Sequence, residues 1–74
     1  MKYRLKPQIQ KIINVLKKHG FFILRIKGDH IMVNREPPPP RPIVIPNVKR
    51  ISNVVRLNLL KESGVDEEEF DGIF

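Results

Sequence analysis

The sequence predicts an α+β domain: a three-stranded antiparallel sheet with two helices packed on one of its faces. Three patterns lead there. An apolar stripe at helical spacing stands near the start, two β-rich runs flank a Gly-Asp pair, and a second helix with cap residues at both ends follows a proline-rich connection.

The first helix is read from Ile9, Ile12, Ile13 and Leu16, which fall at i, i+3, i+4 and i+7 and so share one face. Gln8, Gln10, Lys11, Asn14, Lys17 and Lys18 occupy the other face. Pro7 suits the first turn, where its missing N–H costs nothing. Lys17, Lys18 and His19 suit the negative end of the helix dipole, and Gly20 suits the turn after it. The helix is expected over about residues 7–18.

Residues 21–27 are rich in aromatic and β-branched side chains and predict a strand. Gly28-Asp29 reads as a two-residue hairpin turn with glycine at the first central position, and residues 31–34 continue as a second strand. Five of the eight residues 35–42 are proline and lack an amide hydrogen, so this stretch predicts an exposed, stiff connection. A third short strand is expected over 43–45, stopped by Pro46. Ser52 or Asn53 then caps a helix that runs to Ser63 and ends at Gly64. Asp66 with Glu69 three residues on, flanked by Val65 and Phe70, predicts a short capped acidic turn over 66–71. The α-β-β-β-α order is that of double-stranded-RNA-binding-like domains.

Seventy-four residues fit one domain, 1–74, with the acidic turn in its last ten residues. With no cysteine there is neither a disulfide scaffold nor a thiolate zinc site, and two histidines are too few for a zinc centre. No apolar run is long enough to span a membrane, and no apolar stretch follows the basic start as a signal peptide would require. An intracellular, cytoplasmic chain is expected. The net charge of +6 divides unevenly, with +10 over residues 1–50 and −4 over residues 51–74. A basic body suits a polyanionic ligand, with RNA the expected partner.

The hairpin places chemistry on one face. A two-residue turn at Gly28-Asp29 pairs Lys27 with His30, Arg25 with Met32 and Ile23 with Asn34, and opposed residues project to the same side. Phe22, Leu24, Ile26, Ile31 and Val33 are then expected in the core. Arg25, Lys27, His30 and Asn34, with Phe21, Ile23 and Met32, are expected on the other face. An imidazole beside two cations is what metal-free cleavage of an RNA phosphodiester needs. The 2′-hydroxyl must lose a proton, the leaving 5′-oxygen must gain one, and the phosphorane charge must be stabilised. Phe21 and Tyr3 are candidates for base stacking, although most of the aromatics are expected in the core.

Gly20-Phe21, Arg25, Gly28-Asp29-His30, Ile45-Pro46 and Leu59-Leu60-Lys61-Glu62-Ser63-Gly64 resemble the HicA toxin family of YcfA-like mRNA interferases. The resemblance runs over about residues 7–70. It implies a double-stranded-RNA-binding-like fold, metal-independent cleavage of mRNA without a cofactor, and neutralisation by a HicB-like antitoxin. The family's catalytic histidine falls on His30. Asp29 stands in place of the usual serine, and Val48 stands where a second histidine often follows Pro46-Asn47. Val54-Val55 replaces the Gly-Thr that usually opens the last helix. On this reading His30 is the general acid or base, Arg25 and Lys27 hold the scissile phosphate, and Lys11, Lys17 and Lys18 hold the RNA backbone. The alternative is an RNA-binding domain without catalysis; a third reading is a domain that binds a protein through its sheet edge.

Overall fold

The computed structural model describes residues 4–37 and 41–74. Its elements are α1 (Pro7–Lys18), β1 (Phe22–Lys27), β2 (His30–Asn34), β3 (Ile43–Pro46), α2 (Asn53–Ser63) and a 3₁₀ turn, η1 (Glu67–Phe70). The chain is α+β in the order α-β-β-β-α, as its patterning predicts, and the sheet is antiparallel in the order β1-β2-β3. Pro38, Pro39 and Pro40, three of the five prolines of the expected spacer, and Tyr3 lie outside the described residues.

The helix stripe becomes the core. Ile9, Ile12, Ile13, Val15 and Leu16 are buried, and they pack in one cluster with Ile31 and Val33 of β2 and Ile43 and Ile45 of β3. Alternate residues of β2 and β3 therefore face the helices, and the residues between them face away. Ser52 caps α2, its Oγ accepting the Val55 N–H at 3.2 Å. Gly64 ends α2 at φ +69°, a left-handed conformation in which a Cβ would be strained.

The expected faces of β1 need correcting. Pairing from the turn is regular through Lys27↔His30, Ile26↔Ile31 and Arg25↔Met32, but the next pair is Ile23↔Val33. Leu24 is an extra residue, a β-bulge, and beyond it every side chain changes face. Phe22 and Leu24, expected in the core, are 42% and 48% exposed. Ile23, expected outside, packs against the core, and Phe21, also expected outside, is 4% exposed beneath the Arg35 guanidinium, which lies 4.9 Å from its ring centroid. A main-chain bond from Phe21 N–H to Leu16 O turns this residue back toward α1. Alternation counted from the hairpin tip fails here because a bulge carries no reliable residue signature.

The acidic segment belongs to the helical layer. Asp66 Oδ1 accepts the Glu68 N–H at 3.0 Å, and Val65 and Phe70 are both buried, so the cap and the apolar staple form. Glu69, expected to return to the cap, instead reaches His19, the residue that follows α1, at 3.3 Å. Glu67 pairs with Arg56 of α2, and the Phe70 ring stacks on Phe74 at 5.0 Å. Gln8 ties the layer together: its Nε2 donates to Ile73 O at 2.8 Å and its Oε1 accepts the Ile51 N–H at 2.9 Å.

Candidate functional site

The tight turn determines which side chains meet. Gly28 has φ +57°, and among the described residues none other than glycine has a positive φ, so Asp29 occupies the second turn position with negative φ. That is the pattern of a type II′ hairpin, which joins its strands without slippage and sets Lys27 directly opposite His30. His30 also opposes Pro46 on β3. One row further from the turn, Arg25, Met32 and Val44 stand side by side. The Arg25 Nε–H donates to Met32 Sδ at 3.4 Å, which lays the guanidinium across the sheet. The next row is Phe22 opposite Asn34.

All these residues lie on the sheet face opposite the helices, because their neighbours Ile31, Val33, Ile43 and Ile45 fill the core. His30, Arg25 and Lys27 are exposed. The imidazole, guanidinium and ammonium expected to act together thus stand on one open surface, with Asp29 in the turn between Lys27 and His30. Lys11, Lys17 and Lys18 are also exposed, but they project from α1 in the opposite layer. His19, the chain's other imidazole, is engaged with Glu69 on that same layer. Among the described residues no group of three or more His, Asp or Glu side chains is placed to hold a metal ion.

A fastening that the residue pattern does not reveal holds the turn. The Asn47 N–H donates to Asp29 O at 2.6 Å, tying the end of β3 to the hairpin tip. Its side chain grips the segment ahead of α1: Asn47 Oδ1 accepts the Lys6 N–H at 2.8 Å, and Nδ2 donates to Arg4 O at 3.1 Å. Arg4 and Lys6 are exposed, and through Asn47 their main chain is tied to the turn that precedes His30. In the sequence, Arg4 and Lys6 are merely part of a basic start, and Asn47 is one residue after a proline. The signal was the Pro46-Asn47 pair, and the side-chain partners Lys6 and Arg4 lie more than forty residues away.

No family model, curated protein or solved structure matches this chain. Among the described residues no helix is long and apolar enough to cross a membrane.

Proposed function

We propose that this protein is a HicA-like toxin, a metal-independent endoribonuclease that cleaves mRNA in the cytoplasm and is neutralised by a HicB-like antitoxin. The observation that carries this reading is the exposed row Lys27–His30, one row from Arg25, on a sheet face the core does not need. The motif resemblance supports it. Gly28 and Gly64 stand at positive φ where the resembling motifs place glycine, and His30 follows the turn at the open end of β2.

His30 takes the proton from the attacking 2′-hydroxyl or returns one to the leaving 5′-oxygen. Arg25 and Lys27 bind the scissile phosphate and offset the charge that builds on the phosphorane. Without a second imidazole on this face, the other proton passes through Lys27, water or the substrate. Lys11, Lys17 and Lys18 serve an RNA long enough to pass round to the helical layer. The position of His19 gives weight to a second reading, a fold that binds RNA without cutting it.

The test is induced expression of the wild-type chain and of His30→Ala, following growth and RNA integrity, with cleavage of purified mRNA repeated in excess chelator. Growth arrest and cleavage that survive the chelator and vanish in His30→Ala support the reading. Equal toxicity of the two proteins, or RNA bound but never cut, overturns catalysis. Because the ring is exposed, His30→Ala should melt within about 0.5 kcal/mol of wild type.

A further inference from the structure

The bulge at Leu24 leaves the open sheet face with two chemically different ends. Around the turn it is cationic, with Arg25, Lys27 and His30. Beyond it the face is apolar, with Phe22 42% and Leu24 48% exposed, while Val44, 46% exposed, stands level with Arg25. Along β2 the His30 row and the Asn34 row are separated by four residues, about 14 Å at the usual strand rise of ~3.4 Å. Phe22 stands at the far row, so an exposed aromatic ring and an imidazole share one surface a few nucleotides apart.

From this we infer that the face binds single-stranded RNA in preference to duplex, with an unpaired base stacked on Phe22 and the backbone running toward Arg25, Lys27 and His30. The inference rests on the proposed ribonuclease reading and names its substrate. Charge complementarity supplies the occupant: a polyanion with apolar base faces matches a surface with cations at one end and a ring at the other. A base pair inside a duplex hides both its faces by stacking and offers nothing to Phe22. Reading an A-form duplex by shape needs cations spread along about 16 base pairs on one side of the protein. Here the α1 lysines project from the layer opposite Arg25 and Lys27, so a straight duplex cannot engage both sets.

The experiment measures binding of the full chain, by fluorescence anisotropy at 150 mM salt, to an unstructured 12-nucleotide 2′-O-methyl RNA and to the same strand annealed to its complement. The methyl groups remove the attacking hydroxyl, so binding is read without cleavage. The single strand should bind at least tenfold more tightly than the duplex. Phe22→Ala and Phe22→Leu should each weaken single-strand binding about 5- to 150-fold, the range of one lost base stack, while Phe22→Tyr retains it. All three should leave duplex binding within twofold and keep the wild-type circular dichroism spectrum. Equal or tighter duplex binding, or indifference of the single strand to Phe22→Ala and Phe22→Leu, overturns this inference; if His30-dependent cleavage persists, the ribonuclease reading stands. Absence of binding to either RNA overturns both, and Phe22-dependent capture of a protein partner in its place would identify the face as a protein interface.

Discussion

Asn47→Ala tests how the hairpin tip is held. The substitution removes the two side-chain hydrogen bonds to the segment ahead of α1, from Lys6 N–H at 2.8 Å and to Arg4 O at 3.1 Å. It leaves the Asn47 N–H to donate to Asp29 O. A net hydrogen bond contributes about 0.5–1.5 kcal/mol, and both of these lie in exposed surroundings, so no buried group is stranded when they go. Together they should contribute about 1–2 kcal/mol. In a domain of this size 1 kcal/mol moves the melting temperature by about 4–8 °C, so the variant should melt about 4–16 °C lower. The loss should be local in origin. The Lys6 amide should lose hydrogen-exchange protection well before the amides of β2, because the segment it anchors can open without disturbing the core. Thermal melts followed by circular dichroism, with residue-resolved exchange, measure both effects. A melting temperature within about 1 °C of wild type, together with an equally protected Lys6 amide, would refute the fastening.

Two further outcomes follow from burial and backbone geometry. Ile45→Ala, at a fully buried position, should cost about 2–5 kcal/mol, whereas Val44→Ala, one residue away on the open face, should stay within about 0.5 kcal/mol; urea midpoints separate them. Gly64→Ala should cost about 1–2 kcal/mol, and because the space around its Cβ is open this cost is conformational. Gly64→Asn should then recover part of it, since asparagine tolerates the left-handed region better, and a chemical-denaturation series of the two variants would show the difference.

The strong local signals in the sequence survive into the structure because each is enforced within a few residues. The i, i+3, i+4, i+7 stripe of α1 buries itself on any apolar sheet, Gly28-Asp29 makes a tight turn by its own backbone preferences, and Ser52 and Gly64 begin and end α2 locally. The pairing of Lys27 with His30 follows from that turn alone, so the nucleus of the candidate site could be read before any fold was known. Farther from the turn the reading failed, because a single extra residue, Leu24, reverses the facing of everything N-terminal to it.

Residue order alone determines the α-β-β-β-α succession, the hairpin that sets an imidazole beside an ammonium, and the separation of a basic body from an acidic end. These depend on spacing and on local backbone preference. Tertiary packing decides the rest: that Phe22 faces solvent while Phe21 lies under Arg35, that the acidic turn is held by His19 and Arg56 on the helical side, and that Asn47 ties the segment of Arg4 and Lys6 to the hairpin turn. Each of these is a contact between distant parts of the chain, or a change of register, whose energy exists only once the layers have come together.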